Sequence, residues 1–451
     1  MKLMVIGGGL AGCEAAWQAA RHGVRVDLFE MRPYKSGPAH QTGDLAELVC
    51  SNSLRGDALE NAVGLLKAEL ERLDSIILTS ARASAVPAGG ALAVDRERFA
   101  HTITGKIASH PQITLHREEI TAIDLDRPTI VACGPLPSDA LAQAIDDIVG
   151  CGRLHYYDAA APILASDSID ESLMYRKSRY EKGDGDDYLN IPLDREQYRA
   201  FIDALRAAPK HQPKDFEIDA AAGRIPYFEG CLPVEEMAER GDDVLRFGPM
   251  KPVGLRDPRT GKTPHAVVQL RKENAAGSAL NLVGFQTRLT WPAQKEVFGQ
   301  LPGLAAAEWL RFGVMHRNTF LDAPRLLGSD LRFHGARQLW FAGQITGAEG
   351  YVEAAACGLM AGTAAARAMQ GLPQIAVPAQ SAHGAILAHL ANTATDDFQP
   401  SNVNWGAFPP LPDSEHTRDK RERRRRMAER ALRAIGEYAA AVGTPQLLST
   451  R

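Results

Sequence analysis

The chain has 451 residues, of which 45% are hydrophobic and 24% charged, a composition typical of an ordinary globular protein with two or three domains. We expect neither a signal peptide nor a membrane span, because the apolar start resembles a first strand and no apolar run reaches membrane length. Six cysteines without regular spacing argue against a disulfide scaffold and favour a reducing, cytoplasmic location. The net charge is −4, but the charges are unevenly distributed. The segment Arg418 to Met427 has seven basic and two acidic residues.

The chain begins with a nucleotide-binding pattern. A strand over residues 2–6 runs into a glycine-rich loop and an alanine-rich helix, and a second strand ends at Glu30. In such a pattern the first glycine makes a tight turn, the second admits a pyrophosphate and the third lets the helix pack on the strand. The helix N-terminus attracts phosphate, and an acid after the second strand accepts hydrogen bonds from a ribose. We therefore predict a dinucleotide site formed by Glu30 and the loop residues Gly7, Gly8, Gly9, Leu10, Ala11 and Gly12.

A second strand–glycine–helix unit lies near the C-terminus and favours FAD over NAD. The strand Leu339 to Ala342 is followed by a loop and a helix of small residues. The loop "GQITGAEGY" supplies the further cofactor-binding candidates Gly343, Gly347, Gly350 and Tyr351. The segment "TIVACGP" adds a strand that ends in small residues and can pass close to the cofactor. Because the chain has no second GxGxxG motif, we expect neither a stable NAD(P)H domain nor a classical S-adenosylmethionine site.

The middle of the chain changes character. Strand-like runs between glycine- and proline-rich turns extend from about Phe216 to Thr290, and helical patterns include one with Asp194 as N-cap. We predict an α/β fold in which an FAD-binding, Rossmann-like (doubly wound) domain carries an inserted, smaller α+β domain. The predicted parts are the FAD domain at 1–190 and 321–371, the inserted domain at 191–320, and a linker with a helical tail packing on the FAD domain at 372–451.

Two cysteines differ from the other four in their surroundings. Cys231 precedes Pro233, which reads as the first residue of a helix, and a thiol at a helix N-terminus has a lowered pKa. Cys50 leads into "SNSLRG", whose hydroxyl, amide and Arg55 side chains are candidates to stabilise an anion. Two lone thiols do not by themselves identify a reaction. The His and Cys residues lack ligand spacing, so we predict no metal site.

The basic tail has two interpretations. Its pattern fits a solvated amphipathic helix, and it equally fits a phosphate-binding surface. Scattered basic residues in turn-rich segments would extend such a surface: Lys177, Arg179, Lys210, Lys214, Lys251, Arg256, Arg259 and Lys262.

The chain resembles the TrmFO family of folate- and FAD-dependent RNA uracil-5-methyltransferases. The resemblance covers nearly the whole chain, in order, and rests on segments that include "GGGLAGCEAAWQAA", "ELVCSNSLRGD", "YFEGCLPVEEMAERG", "NLVGFQTRLTW", "GVMHRNTF", "FAGQITGAEGYVEAAACGLMAG" and "FQPSNVNWGAFPPL". Two positions depart from the family's usual pattern, Ile191 where a cysteine is frequent and Gly56 where serine is common.

The resemblance implies methylation of C5 of a uridine in the tRNA T-loop (m5U54). In the family, 5,10-methylenetetrahydrofolate gives the carbon and FAD, reduced by NAD(P)H, gives the hydride. Cys231 and Cys50 match the two catalytic cysteines, because C5 of uracil becomes nucleophilic only after a thiolate adds at C6 and its proton then needs a base. We expect Cys231 to attack C6 and Cys50 to handle the proton, although the residues alone leave this assignment open. Tyr351 matches a position suited to stacking with folate or substrate, and His316 and Arg317 are weaker candidates.

Three alternatives remain at this point. The same chemistry on a ribosomal RNA uridine fits the residues equally well. A small-molecule FAD oxidoreductase explains the glycine motifs but leaves both thiols and the basic tail unused. An RNA-binding protein with a structural FAD would show no turnover of the flavin by NADPH. No obligatory protein partner is evident from the sequence, and neither the oligomeric state nor the choice between NADH and NADPH follows from it.

Overall fold

A computed structural model describes residues 1–150, 154–211, 232–394, 398–412 and 417–443, together with positions 227, 229 and 414. Within these ranges the strands are β1 (Leu3–Ile6), β2 (Val26–Phe29), β3 (Ser53–Gly56), β4 (Ala85–Val86), β5 (Ala91–Val94), β6 (Ile113–His116), β7 (Thr129–Val131), β8 (Leu154–Ala159), β9 (Ile163–Ala165), β10 (Tyr175–Arg176), β11 (Leu189–Leu193), β12 (Ala266–Lys272), β13 (Ala279–Leu282), β14 (Trp309–Arg311), β15 (Met315–Phe320) and β16 (Leu339–Phe341).

The helices in the same ranges are α1 (Leu10–Arg21), α2 (Ala62–Arg72), α3 (Ile76–Ala83), α4 (Arg96–Ala108), α5 (Asp139–Val149), α6 (Arg195–Ala207), α7 (Val234–Glu239), α8 (Val244–Phe247), α9 (Trp291–Phe298), α10 (Ala323–Leu326), α11 (Tyr351–Met369), α12 (Ala382–Leu390) and α13 (Lys420–Val442). Among the described helices, none has the length and apolar character needed to cross a bilayer.

A parallel sheet in the order β16-β7-β1-β2-β6 forms the first layer of the fold. Its strands are short and almost wholly buried, as expected for a parallel sheet covered on both faces. Because neighbouring parallel strands end at the same edge, the loops after β1, β7 and β16 meet there. These are the three strand–glycine segments that the sequence singles out, and the predicted doubly wound α/β fold is confirmed.

Helices α1 and α11 lie directly against each other. A Cβ atom at Gly358 would lie 2.2 Å from the carbonyl oxygen of Ala11, and one at Gly362 would lie 2.4 Å from that of Ala15. Any side chain there would force the two helices apart. The small residues of α11 therefore allow a close approach that brings its N-terminus to the edge where β1 ends.

A second, six-stranded sheet has the order β10-β11-β12-β13-β9-β14, with antiparallel neighbours throughout. Helix α6 begins at the predicted N-cap, Asp194, whose side chain forms a capping box with Gln197. Phenylalanine rings from α6, α9 and the loop after β13 meet in its core. Strands β9 and β10 of this sheet precede residue 191, and the domain boundaries given above remain a prediction.

The tail packs on the first layer through α2. The apolar face of α13, which includes Met427, Ala431 and Ile435, is buried, and Arg72 of α2 donates to the carbonyl of Leu432 at 2.5 Å. The Glu69 carboxylate of α2 accepts the backbone N–H groups of Ala382 and His383 at the start of α12. The strongly basic face of α13 is exposed to solvent.

Candidate functional site

The first cleft of interest opens at the carboxyl edge of the parallel sheet. The space that protein atoms leave free in it, counted together with the solvent at its mouth, is about 980 Å³. Its walls are the loop after β1, the acidic residue after β2, the loop after β7 and the start of α11, represented by Gly9, Glu30, Gly134 and Tyr351. The four parts come from widely separated stretches of the chain, and each was predicted to contact a dinucleotide.

The glycines of the first loop have distinct geometries. Gly7 has φ +104°, and a Cβ there would lie 2.5 Å from the carbonyl oxygen of Ala132, so only glycine makes this turn. At Gly12 a Cβ would lie 1.8 Å from the carbonyl oxygen of Gly7, which explains the close packing of α1 on the loop. At Gly9, by contrast, a Cβ would meet no protein atom within 4 Å. The open space at Gly9, next to the N-terminus of α1, fits the pyrophosphate of a dinucleotide.

Glu30 is held rigidly at the cleft by hydrogen bonds to both of its oxygens. Its Oε2 accepts the backbone N–H of Gly8 at 2.8 Å, and its Oε1 accepts the Nε–H of Arg32 at 2.9 Å. Burial by itself would raise the pKa of Glu30, but the hydrogen bonds and charge of Arg32 outweigh burial and lower that pKa. Glu30 is therefore a fixed carboxylate with further lone pairs, which suits a ribose hydroxyl.

The C-terminal glycine loop contributes Gln344 to the wall of the same cleft, whereas the predicted residues Gly343, Gly347 and Gly350 are not among its wall residues. Gly343, Gly347 and Gly350 all have positive φ, of +84°, +87° and +109°. A Cβ at Gly343 would lie 2.7 Å from the Cβ of Ala11, and one at Gly347 would lie 2.6 Å from the ring of Phe398. The loop therefore requires glycine for its backbone conformation and for its close packing. It delivers α11 and Tyr351 to the cleft.

A second cleft adjoins the first and contains Cys50. The two clefts share the wall residues Val49, Pro135, Leu136, Gln344 and Tyr351. The second cleft is further lined by Cys50, Arg55, Gln286, Gly350 and Asn402. A thiol thus lies in a cleft that shares a wall with the first one. Such an arrangement places a nucleophile or proton carrier close to the cleft that is predicted to hold a dinucleotide.

Tyr351 connects α11 to the Cys50 loop. Its Oη accepts the backbone N–H of Cys50 at 2.8 Å and that of Ser51 at 3.2 Å. Burial, and then the charge of Cys50 in its thiolate form, raise the pKa of Tyr351, so the hydroxyl keeps its proton at neutral pH. The Sγ of Cys50 lies 3.7 Å from the carbonyl oxygen of Ala159, an acceptor for the thiol proton. Tyr351 therefore positions Cys50, whereas its predicted stacking with folate or substrate remains a prediction.

Two arginines hold the residues just before Cys50. Arg96 donates to the carbonyl of Leu48 and pairs with Glu273 at 2.7 Å. Arg311 donates to the carbonyl of Val49 at 2.8 Å. Burial alone would lower the pKa of Arg96, but the acidic groups of Glu273, Tyr351 and Cys50 outweigh it and raise that pKa. Both guanidinium groups remain charged, and they hold the backbone that leads into Cys50.

The expectation that the side chains after Cys50 stabilise an anion is wrong for Asn52. This residue is fully buried, and its Nδ2 donates to the carbonyls of Val94 and Lys272 at 3.0 and 2.9 Å. Its Oδ1 accepts from Nε of Arg271, a residue of β12. Asn52 therefore ties the Cys50 loop to the second sheet. Arg55 lines the second cleft and pairs with the buried Glu353 of α11.

Cys231 lies outside the described residues, and only its neighbours can be reported. Helix α7 begins at Val234, one residue later than predicted, because Pro233 has ψ 142° and is the N-cap. The N–H of Val234 donates to the carbonyl of Gln286 at 2.8 Å. Glu235 accepts from the backbone N–H of Arg288 and from the hydroxyl of Thr287, and burial raises its pKa. These contacts fix the helix after Cys231 against the loop that lines the second cleft.

The remaining candidates contribute less to the site. His316 and Arg317 belong to β15, but their side chains lie outside what the structure describes. Several of the scattered basic residues have partners within the chain, including Lys210 with Glu239 and Arg259 with Asp257; Lys214 is not among the described residues. In the described part of the chain, no cluster of His, Cys, Asp and Glu side chains has the arrangement of a metal site.

Lys67 of α2 is a supporting residue that the sequence analysis did not single out. Its Nζ is buried and donates to the carbonyls of Leu54, Arg55 and Gly56 at 3.0, 3.1 and 2.8 Å. Burial lowers the pKa of Lys67 to about 8. The sequence pattern did indicate that Lys67 is unusual, because this lysine interrupts the apolar stripe of the "NAVGLLKAELERL" helix. The three-carbonyl contact holds β3 in place, directly after the Cys50 loop.

Most of this chain matches one described protein family. Residues 2–373 match the family described as "Glucose inhibited division protein A". Curated relatives cover nearly the full length of both chains. A protein of Geobacter sulfurreducens is 56% identical over 97% of this chain and 99% of its own, and one of Geotalea uraniireducens is 57% identical over 96% and 97%. Both are named methylenetetrahydrofolate--tRNA-(uracil-5-)-methyltransferase TrmFO.

Solved structures show the same fold at much lower identity. GidA of Aquifex aeolicus in its form II crystal superposes with a TM-score of 0.72 at 17% identity, covering 99% of this chain and 74% of that chain. The form I crystal gives 0.71 at 16% identity. This likeness establishes the architecture, a parallel-sheet layer joined to a second sheet.

Proposed function

Since this chain belongs to the TrmFO methyltransferases, within the family described as glucose inhibited division protein A, we propose that it methylates C5 of uridine 54 in the T-loop of tRNA. The one-carbon donor is 5,10-methylenetetrahydrofolate, and the cofactor is FAD. The expected location is the cytoplasm, where a tRNA substrate and folate are available. The observation that carries the proposal is the shared wall between the dinucleotide cleft and the cleft containing Cys50.

The first cleft fits FAD in three respects. Gly9 leaves open space where a pyrophosphate would lie, Glu30 is a fixed carboxylate for a ribose, and Gln344 and Tyr351 add a wall from the C-terminal glycine loop and the start of α11. When bound and reduced by NAD(P)H, FAD supplies the hydride that completes the methyl group. The residues of this chain bind and orient the cofactor and exclude water from its reactive end.

The thiol chemistry requires two groups. In the first step the Sγ of Cys231 bonds to C6 of uracil, and the C5=C6 electrons form an enolate that ends on O4. C5 then bonds to the methylene carbon of the folate as the bond from that carbon to one folate nitrogen breaks. The Sγ of Cys50, as thiolate, takes the proton from C5. The bond from the methylene carbon to the second folate nitrogen breaks, tetrahydrofolate leaves with the electron pair, and an exocyclic methylene remains on C5. Hydride addition to the exocyclic methylene carbon yields the methyl group, and the Cys231–C6 bond breaks. Tyr351, Arg96 and Arg311 position Cys50 through contacts with the backbone of residues 48–51.

The described neighbours of Cys231 support its reach to the second cleft. Position 227 pairs with β8 at Tyr157, two residues before Ala159 of the cleft wall. Val234 bonds to Gln286, another residue of the same wall. Cys231 is three residues from Val234, so even a fully extended chain separates them by only about 11 Å.

Paired cysteine variants test the assignment. Cys231→Ala and Cys50→Ala should each keep bound FAD and RNA affinity and lose methyl transfer from labelled methylenetetrahydrofolate to a tRNA transcript. A covalent RNA–protein complex should persist in Cys50→Ala and be absent in Cys231→Ala. Cys151→Ala, which removes a thiol that the proposed mechanism does not use, is the matched control and should retain activity. Loss of FAD from Cys231→Ala would assign that residue to folding, and full activity in either variant would refute the two-thiol mechanism.

A further inference from the structure

A surface groove, here called the tail groove, lies between the segment before α13 and α13 itself. Its walls include Trp405, Phe408, Arg423, Arg424 and Met427. The rings of Trp405 and Phe408 lie against each other, with centroids 4.7 Å apart. The Nε1–H of Trp405 donates to the carbonyl of Glu60 at 2.9 Å and fixes the orientation of the indole. The groove thus combines the fixed, half-buried indole of Trp405, backed by the buried ring of Phe408, with two guanidinium groups.

The basic residues of the tail divide into two sets. One set forms intramolecular contacts: Arg421 with Glu60, Arg425 with Glu422 and Glu429, Arg426 with Glu422, and Arg430 with the carbonyls of Pro409 and Pro410. In the second set no side chain has an ion-pair or hydrogen-bond partner within the described residues: Arg418, Lys420, Arg423, Arg424 and Arg433. The groove is lined by members of the second set.

The position of these charges is unfavourable for the helix itself. Lys420, Arg423 and Arg424 lie in the first two turns of α13, at the positive end of the helix dipole, where cations are destabilising. Asp419 and Glu422 offset only part of this charge, and Glu422 is already paired with two arginines. An anion bound in the groove would neutralise the excess charge. The charge pattern therefore fits a polyanionic partner better than a stabilising role in the fold.

The tail groove lies near the second cleft along the chain. Asn402 lines that cleft and donates to the carbonyl of Glu349 at 2.7 Å. Trp405 follows three residues later, so the chain from cleft to groove spans at most about 11 Å. A nucleic acid strand with one base in the second cleft would therefore reach the groove within a few nucleotides.

We propose that the tail groove binds unpaired nucleotides that flank the target uridine, with a base stacked on the Trp405–Phe408 surface and phosphates on Arg423 and Arg424. The proposal deepens the function proposed above and rests on it. Stacking of a base on an aromatic side chain contributes binding energy without sequence preference, and arginine contacts make binding sensitive to salt. The groove thus holds the RNA while the second cleft selects the base.

Binding of a tRNA transcript at several salt concentrations tests the arginine contacts. Arg423→Ala/Arg424→Ala should raise Kd by about ten- to a hundredfold at low salt. The slope of log affinity against log salt should become less negative by about 1.4, since each single-strand phosphate contact contributes about 0.7. Arg25→Ala/Arg433→Ala removes the same charge from exposed positions outside the groove and is the matched control. Equal salt slopes in the groove and control variants would overturn the proposal.

Trp405 variants test the stacking contact. Trp405→Ala should weaken RNA binding by about five- to a hundredfold without changing the salt slope, and Trp405→Phe should restore most of the affinity. Both variants should keep bound FAD. Polyglutamate of matched charge serves as the second probe. Equal loss of RNA and polyglutamate binding in Trp405→Ala would assign the groove to acidic polypeptides and overturn the proposal.

Methyl transfer separates failure of this inference from failure of the proposed function. The arginine variant should raise KM for tRNA and leave kcat at saturating tRNA unchanged. If the wild-type chain methylates tRNA while the groove variants bind RNA as tightly as wild type, the inference alone is wrong. If the wild-type chain neither binds nor methylates tRNA, the proposed function fails, and the inference fails with it.

Discussion

The phenolic oxygen of Tyr351 accepts the backbone N–H of Cys50 at 2.8 Å, joining two residues that are 301 positions apart in the chain. Tyr351 is the first residue of α11, and the glycine loop before it forms part of the dinucleotide cleft. The contact therefore couples the placement of the Cys50 thiol to the start of α11. In this arrangement the C-terminal glycine loop and the Cys50 loop share one anchoring group.

Tyr351→Phe tests this coupling. The variant leaves two backbone N–H groups, those of Cys50 and Ser51, without their acceptor, a loss of about 1–3 kcal/mol that displaces the loop. We expect methyl transfer to slow by about ten- to a hundredfold while FAD stays bound. Tyr438→Phe makes the same chemical change at a buried position outside both clefts and should have little effect. An unchanged rate in Tyr351→Phe would show that the hydroxyl does not position the thiol.

Gly9→Val tests the location of the pyrophosphate. Gly9 has φ −74°, and a Cβ added there would meet no protein atom within 4 Å, so valine should not strain the fold and should collide only with a ligand. We expect a folded protein that lacks flavin absorbance. Gly105→Val also adds a side chain with no protein atom within 4 Å of its Cβ, but on the exposed face of α4, and this control should keep its flavin. Full flavin occupancy in Gly9→Val would remove the first loop from the cofactor site.

The lowered pKa of Lys67 predicts how the stability of the protein changes with pH. Its folded-state pKa of about 8 lies below the ordinary lysine value of 10.5, so between these values the unfolded chain binds more protons than the folded one. The contribution of Lys67 to the free energy of unfolding should therefore increase as the pH rises from about 8 to 10.5, by up to about 3 kcal/mol.

The Lys67→Met variant isolates this contribution, because other titrating groups cancel when the two proteins are compared. Denaturant unfolding at a series of pH values should show the stability difference between wild type and variant shifting in favour of the wild type across this window. A difference that stays constant from pH 8 to 10.5 would mean that the folded-state pKa of Lys67 is not lowered.

Local patterns predicted the parts of the site formed by single stretches of chain. The sequence predicted that the loops after β1, β7 and β16 lie close together, because neighbouring parallel strands end at the same edge of their sheet. The role of Asn52 could not be predicted, because its partners, Val94, Lys272 and Arg271, come from distant strands. The same is true of Arg311, which reaches the Cys50 loop from the second sheet. Contacts between the layers depend on how distant parts of the chain pack, and this packing cannot be predicted from the periodicity of the sequence.

The central claim is best tested by position-resolved methyl transfer. The chain, with FAD, NADPH and labelled 5,10-methylenetetrahydrofolate, is incubated with an unmodified tRNA transcript, with the same transcript carrying cytidine at T-loop position 54, and with ribosomal RNA. We predict label in the first RNA alone, at C5 of that uridine. Label only in ribosomal RNA, or no label in any RNA while NADPH still reduces the flavin, would contradict the proposed function.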